Sequence, residues 1–124
     1  MLMNKKTLTF TFIARTAPYG SNRGNLLLDI ALTTSVFEHN TNYVFLGDGV
    51  FQLLKDQDAD QIKSKTLGKA LQALNLYGIN NIFIQEGALS DRAIAPDDLI
   101  LEAKTLNQNE LSTLIKDSDN IISL

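Results

Sequence analysis

The chain has 124 residues, of which 44% are apolar and 20% are charged, and its 11 basic and 14 acidic residues give a formal net charge of −3. This size and composition predict one globular domain over residues 1–124, and the mild negative charge argues against nucleic acid as a direct partner. The sequence contains no cysteine, which excludes disulfides, thiolate metal sites and a thiol nucleophile among these residues. With no secretion signal and no apolar run of about 20 residues, we expect a soluble cytoplasmic protein without membrane contact.

Short β-rich runs alternate with helical patterns along the chain, and this alternation is typical of a parallel α/β sheet. The first strand is predicted from Thr7 to Ala14 and is followed by a loop from Thr16 to Gly24, whose Pro and Gly residues interrupt regular structure. A helix is predicted over Asn25 to Glu38. The second strand, Tyr43 to Leu46, ends at Gly47-Asp48-Gly49, where Asp48 can cap a helical turn.

The second half of the chain continues the alternation. A helical stripe ends at Gly78, a residue suited to the left-handed position after a helix. The stripe consists of Leu67, Ala70, Leu71, Leu74 and Tyr77. The third strand is predicted at Ile82 to Gln85 and the fourth at Leu99 to Leu101, with Glu102 at the carboxyl end of the fourth.

A last helix and a last strand complete the predicted sheet. Asn107 and Glu110 have the spacing of a capping box that begins a helix, and the fifth strand is predicted over Asn120 to Leu124. Five strands with helices between them predict one α/β three-layer sandwich with a mostly parallel sheet, of the flavodoxin-like or Rossmann-like type.

The first predicted helix is apolar almost all round. Its large apolar side chains cover two nearly opposite faces when they are projected at about 100° per residue. One face holds Leu26, Ile30 and Phe37, and the other holds Leu28, Leu32 and Val36. Such a helix lies either between the sheet and a neighbouring helix or at an oligomer interface, and the small size of the chain favours the interface.

In an open α/β sheet, ligands bind at the carboxyl ends of the strands. Four segments therefore stand as candidate sites: Thr16 to Gly24, Gly47 to Gly49, Gln85 to Gly87, and Glu102 to Thr105. The first segment leads into a helix amino terminus, but it has neither a P-loop pattern nor a dinucleotide-binding pattern, which favours an ordered connection without a ligand. A hydrolase built on Asp48 and Glu102 is disfavoured because no nucleophile and base can be placed with them.

Four segments carry a family resemblance. They are Thr16 to Gly20, Asp48 to Leu54, Leu74 to Ile79, and Leu89 to Arg92. Together they resemble the DsrE/F/H family and, more closely, its TusC/DsrF-like branch, in order and with the expected spacing over nearly the whole chain. The most specific piece is Asp-Gly-Val-Phe-Gln-Leu-Leu, which begins at Asp48.

The resemblance implies a cytoplasmic subunit of a sulfur relay that delivers persulfide sulfur for 2-thiolation of the tRNA wobble uridine. The implied partners are TusB-like and TusD-like paralogues in a heterohexamer, with an indirect link to an upstream sulfur carrier and to the tRNA thiouridylase. The sulfur-carrying cysteine of the family ends the third strand, which in this chain is the position of Gln85 or a neighbour. An amide cannot hold a persulfide.

The resemblance therefore implies a noncatalytic subunit that needs no cofactor and no metal. The residues that we expect at its interfaces are Leu28, Leu32, Val36, Asp48 and Phe51. Two alternatives stay open at this point: a DsrF-like subunit in sulfur oxidation, and a flavodoxin-like module that binds a phosphorylated cofactor such as FMN at Thr16 to Gly24. The colour of the purified protein distinguishes a flavin-binding module from a relay subunit.

Overall fold

The computed structural model describes residues 7–18, 20–55 and 62–124, with the backbone alone for 62–66; Tyr19 lies outside these ranges. Five strands form one sheet in the order β4-β3-β2-β1-β5, and every pair of neighbouring strands is parallel. The strands are β1 (Thr9–Ala14), β2 (Asn40–Phe45), β3 (Asn81–Gln85), β4 (Lys104–Leu106) and β5 (Asn120–Ser123). The parallel five-stranded α/β architecture predicted from the sequence is thus confirmed.

Helices and short 3₁₀ turns connect the strands. The helices are α1 (Arg23–Ser35), α2 (Ile62–Gln72), α3 (Glu86–Asp91) and α4 (Gln108–Lys116). The 3₁₀ turns, named here by their numbers, are the 47–53 turn (Gly47–Leu53), the 74–77 turn (Leu74–Tyr77) and the 96–98 turn (Pro96–Asp98). Two sequence signals for helix ends are confirmed: Gly78 closes the 74–77 turn at φ 84°, and Asn107 and Glu110 form the reciprocal capping box.

The helices cover the two faces of the sheet unequally. From β1 to β4 the chain steps across the sheet in one direction, so right-handed crossovers place α1 and α2 on the same face. The connection from β4 back to β5 runs in the opposite direction, so α4 lies on the other face. Alternate strand residues accordingly enter two cores, with Phe12 and Tyr43 facing α1, and Ile13 and Val44 facing Leu111 of α4.

The predicted fourth strand is wrong. Leu99 to Leu101 stays outside the sheet: Leu99 forms an isolated antiparallel bridge with Leu54, and the Ile100 N–H donates to the Leu53 carbonyl at 2.8 Å. Leu99 is buried in the first core, so this apolar run covers the edge of the core next to the end of the 47–53 turn. Hydrophobic character alone does not distinguish such a covering segment from a buried strand.

The fourth strand of the sheet is instead Lys104–Leu106, which pairs with Phe83 to Gln85 of β3. Glu102 therefore precedes its strand, and it lies toward the amino end of the sheet. The exposed Lys104 and Thr105 give this stretch little strand signal in the sequence, because only Leu106 is buried.

The first helix is shorter at its carboxyl end than the sequence predicted. It ends at Ser35, and Glu38 follows with a positive φ of 60°. Leu28 is only 3% exposed and belongs to the first core, so its place among the expected interface residues is wrong. Tyr77 is also misplaced in the predicted helical stripe, because it lies in the 74–77 turn with its side chain exposed.

Across residues 7–18, 20–55 and 62–124, no helix combines the length and apolar character that a membrane span requires.

Candidate functional site at the carboxyl edge of the sheet

Three of the four segments predicted as sites meet at one edge of the sheet. Thr16 to Gly24 follows β1, Gly47 to Gly49 follows β2, and Gln85 to Gly87 begins at the end of β3. The ends of parallel strands share one edge, which we call the carboxyl edge. The fourth segment, Glu102 to Thr105, leads into β4 from the opposite end, so Glu102 lies away from Asp48, in agreement with the sequence, which disfavoured a hydrolytic site built on these two residues.

The 47–53 turn lies directly on the end of β1. The Leu46 N–H donates to the Ala14 carbonyl at 2.9 Å, and a Cβ on Gly49 would stand 2.0 Å from the same carbonyl oxygen. Only glycine fits at position 49 with this backbone. The close approach fixes the turn that carries Asp48 and Phe51 relative to the sheet.

Gln85 connects the ends of β3 and β2. Its side-chain Oε1 accepts a hydrogen bond from the Gly47 backbone N–H at 3.2 Å, and the side chain is half-buried. The amide therefore occupies the carboxyl edge as an acceptor for the 47–53 turn. It provides neither a nucleophile nor a sulfur ligand at the end of β3.

Arg92, just after α3, holds the exposed side of the 47–53 turn. Its Nη2 and Nε donate to the same Asp48 oxygen, Oδ1, at 2.9 and 3.3 Å, and its Nη1 donates to the Ala88 carbonyl at 3.2 Å. The guanidinium carbon stands 5.7 Å from the centre of the Phe51 ring, within the range of a cation–π contact. We call Asp48, Phe51 and Arg92 the Arg92 cluster.

The loop after β1 is anchored by a buried amide. Gln52 is nearly inaccessible to solvent, and its Nε2 donates to the Thr16 carbonyl at 2.8 Å. Gly24 of α1 packs against the same amide, since a Cβ there would stand 3.1 Å from Nε2. Gln52 Oε1 and Thr16 Oγ1 are buried without a hydrogen-bond partner in the part of the chain that the structure describes.

This loop offers little room for a cofactor. The cavity lined by Pro18, Gly20, Ser21 and Asn22 has a volume of about 210 Å³, whereas pockets for drug-sized ligands occupy roughly 300–1,000 Å³. The unpaired oxygen of Gln52 is an acceptor, which does not attract a phosphate. The described residues also contain no group of three or more Asp, Glu, His or Cys side chains arranged for a metal ion.

A second surface lies at the opposite, amino end of the sheet. Val36 and Phe37 precede β2 and are 75% and 57% exposed, and Leu76 and Tyr77 precede β3 and are 86% and 57% exposed. The first pair directly follows α1, and the second pair ends the 74–77 turn. Helix α1 and this turn are in contact. We call the four residues the amino-end apolar patch.

The structure separates the expected interface residues into distinct environments. Val36 lies in the amino-end patch, and Asp48 and Phe51 lie in the Arg92 cluster at the other end. Leu32 is half-buried against the first core. The sequence did not predict the contact between Asp48 and Arg92, although each belongs to one of the four segments used for the family resemblance.

Comparisons with known proteins show which family the chain resembles. Residues 9–124 match the model of the DsrE/DsrF-like family. The chain is 32% identical to "Protein TusC" of Buchnera aphidicola subsp. Baizongia pistaciae over 122 residues, covering 98% of this chain and 99% of the relative. It is 30% identical to "Intracellular sulfur oxidation protein DsrF" of Allochromatium vinosum over 98 residues, covering 79% of this chain and 72% of the relative.

A solved structure shares the fold. The crystal structure of the ychN protein from E. coli superposes with a TM-score of 0.78 at 18% sequence identity, covering 95% of this chain and 100% of that chain. At this identity the match describes the fold alone.

Proposed function

Since the chain belongs to the DsrE/DsrF-like family, we propose that it acts as a TusC-like, noncatalytic subunit of a sulfur-relay complex that serves 2-thiolation of the tRNA wobble uridine. Similarity to a TusC protein over 98% of the chain supports this assignment. The partners are TusB-like and TusD-like paralogues, which we place with this chain in a cytoplasmic heterohexamer.

The chemistry at the end of β3 supports the noncatalytic role. Gln85 occupies or neighbours the position where the family carries its sulfur-accepting cysteine, and its amide is engaged with Gly47. No cysteine occurs in the 124 residues. We propose that a paralogous subunit carries the persulfide, while this chain contributes to assembly and to the surroundings of that cysteine.

The observation that carries the assembly role is the amino-end apolar patch. Leu76 is 86% exposed and Val36, directly after α1, is 75% exposed, although α1 and the 74–77 turn contribute Leu27, Leu28 and Leu74 to the core. Exposed apolar side chains grouped on adjoining elements are typical of a protein–protein contact. We propose that a paralogous subunit covers this patch, with Leu32 at its border, and that Asp48 and Phe51 belong to a separate contact.

The proposal is tested by co-expressing the chain with the TusB-like and TusD-like paralogues from the same genome and analysing the purified assembly by native mass spectrometry. The wild-type chain is expected in a discrete complex that contains both paralogues. The Leu76→Ser/Tyr77→Ser variant is expected to fold alone, since both side chains are exposed, and to be lost from the complex. The matched control is Leu26→Ser, a leucine that is 51% exposed near the start of α1.

The cellular readout is the 2-thiouridine content of tRNA, measured by mass spectrometry of digested tRNA from a strain that lacks this subunit. We expect the wild-type gene and the Leu26→Ser gene to restore thiolation, and the patch variant to fail. Normal thiolation in the strain without the subunit would contradict the tRNA role and would favour the sulfur-oxidation role of the DsrF relative. A purified wild-type chain that binds neither paralogue would contradict the assembly role itself.

A further inference from the structure

We propose that Arg92 is a positioning residue that holds the Asp48 carboxylate as a docking point for the sulfur-carrying paralogue at the carboxyl edge. The inference rests on the proposed function, and it assigns that paralogue a contact separate from the amino-end patch. The partner group is a hydrogen-bond donor, either the side chain of a lysine or arginine or a backbone N–H.

The geometry leaves half of the Asp48 carboxylate available. The Nε and Nη2 groups of Arg92 both donate to Oδ1 and its Nη1 donates to Ala88, so Oδ2 has no hydrogen bond among the residues that the structure describes. The Asp48 side chain is 62% exposed, whereas that of Arg92 is 24% exposed. The cation is thus partly covered by its neighbours, and most of the Asp48 side chain is open to solvent.

The fold does not need this ion pair. An exposed salt bridge contributes little to folding stability, and the 47–53 turn is already held by the Gly49 approach, by Gln52 and by Gln85. The ion pair does fix the orientation of the Asp48 carboxylate. Without Arg92, the Asp48 side chain can rotate freely, and binding a partner then requires that this freedom be lost.

An arginine suits this role and a lysine does not. The guanidinium group of Arg92 reaches the Asp48 carboxylate and the Ala88 carbonyl at the same time, and it lies over the Phe51 ring. The planar fork satisfies these contacts together, whereas an ammonium group is a single flexible point charge. Arg92 therefore orients both an acceptor and an aromatic side chain.

The charges of the same edge favour a cationic partner segment. Asp48, Glu86 and Asp91 are exposed around the ends of β2 and β3, where Arg92 is half-buried and engaged with Asp48, and the exposed Arg15 stands apart at the end of β1. Complementary charge fixes the orientation of a partner and speeds its association. Gln85 lies at the same edge, so a partner docked on Asp48 lies next to the position where the family carries its cysteine.

The test measures the affinity of the full chain for the purified TusD-like paralogue by calorimetry, with Arg92→Lys as the main variant. The charge of the edge is unchanged in this variant, so a loss of affinity reports orientation. We expect the dissociation constant to rise at least tenfold, while the melting temperature shifts by less than about 4 °C. Arg15→Lys is the matched control, since Arg15 lies at the same edge and its Nε donates to Ser123 Oγ at 2.6 Å.

A second variant tests the docking point itself. Asp48→Asn keeps the size of the side chain and removes its charge, and we expect it to weaken binding as much as Arg92→Lys. The double variant is expected to bind no more weakly than either single variant, because the two substitutions remove the same contact with the partner.

Arg92→Lys binding within twofold of the wild type would overturn the positioning role while the proposed function stands. Undiminished binding of Asp48→Asn would overturn the docking point. A wild-type chain that does not bind the paralogue would overturn the inference and the proposed function together.

Discussion

Gly49 lies so close to the backbone of Ala14 that no residue with a Cβ fits at position 49. A Cβ on Gly49 would lie 2.0 Å from the Ala14 carbonyl oxygen and 2.6 Å from its carbonyl carbon. The opposing atoms belong to the backbone of β1, which is paired with β2 on one side and β5 on the other and therefore cannot move aside. The approach of these two residues sets where the 47–53 turn lies, and therefore where Asp48, Phe51 and Gln52 lie.

The first prediction concerns Gly49→Ala. The added methyl group must displace either β1 or the turn, so we expect a loss of about 3 kcal/mol or more in the free energy of unfolding, measured by urea titration. Gly87→Ala is the control, because nothing lies within 4 Å of a Cβ at that position. In helix α3 this control change is expected to be neutral or stabilising by up to about 1 kcal/mol. Equal effects of the two substitutions would contradict the close packing.

The second prediction concerns the amide at the end of β3. Gln85→Leu removes the acceptor of the Gly47 N–H and leaves that donor half-buried. We expect a loss of about 0.5–1.5 kcal/mol in the free energy of unfolding. Gln85→Glu keeps an acceptor oxygen, so we expect its free energy of unfolding at neutral pH to be closer to that of the wild type. Faster hydrogen exchange of the Gly47 amide in Gln85→Leu, measured by NMR, would locate the effect.

Much of the fold was predictable because local sequence signals agreed with the final structure. The Asn107 and Glu110 capping box and the Gly78 helix end are local devices, and each formed where the sequence placed it. The order of strands and helices followed from alternation, and the parallel sheet followed from the crossovers that this alternation requires.

The site was less predictable because its contacts join distant parts of the chain. Asp48 and Arg92 are 44 residues apart, and Gly47 and Gln85 are 38 apart. Their contact depends on β2 and β3 being neighbours, which the sequence does not state. The misplaced fourth strand has a similar cause: Leu99 is apolar because it closes the core beside Leu54, and Lys104 joins the sheet at an exposed edge.

The third prediction concerns the end of α1. Glu38 has a φ of 60°, a left-handed conformation that costs residues with a Cβ roughly 1 kcal/mol or more. Glu38→Gly is therefore expected to raise the free energy of unfolding by about 0.5–1 kcal/mol, because its gain in the folded state exceeds the added freedom of the unfolded chain. Glu38→Ala keeps the strain and separates this effect from the loss of the carboxylate. An equal gain in both variants would assign the effect to charge.

The fourth prediction concerns a hydroxyl buried in the first core. The Tyr43 ring packs between Phe12 and Phe45, and its Oη has no hydrogen-bond partner among the described residues. An unpaired buried hydroxyl costs about 1–3 kcal/mol. Tyr43→Phe is thus expected to raise the free energy of unfolding at pH 7 by about 1 kcal/mol, the lower end of that cost. A clear loss in this variant would indicate that the hydroxyl is hydrogen-bonded.

The last prediction is the pH dependence of the same residue. Burial, with a smaller contribution from the negative charge of Asp29, raises the pKa of Tyr43 well above its ordinary value of 10.0. Below pH 10 the phenol is neutral in both the folded and the unfolded state, so it contributes no pH dependence. Above pH 10 the unfolded chain releases this proton and the folded chain keeps it, so the folded state loses about 1.4 kcal/mol per pH unit relative to the unfolded state.

Comparison of the wild type with Tyr43→Phe isolates the effect of the Tyr43 phenol on stability, because the other tyrosines and the lysines are common to both proteins. We expect the two curves of unfolding free energy against pH to run parallel from pH 7 to 9.5 and then to diverge up to pH 11, with the Phe variant retaining more stability. Parallel curves over the whole range would show that the Tyr43 phenol ionises as readily in the folded chain as in the unfolded one. The hydroxyl would then have access to water, and the packing of Phe12, Tyr43 and Phe45 against α1 would be looser than the buried core requires.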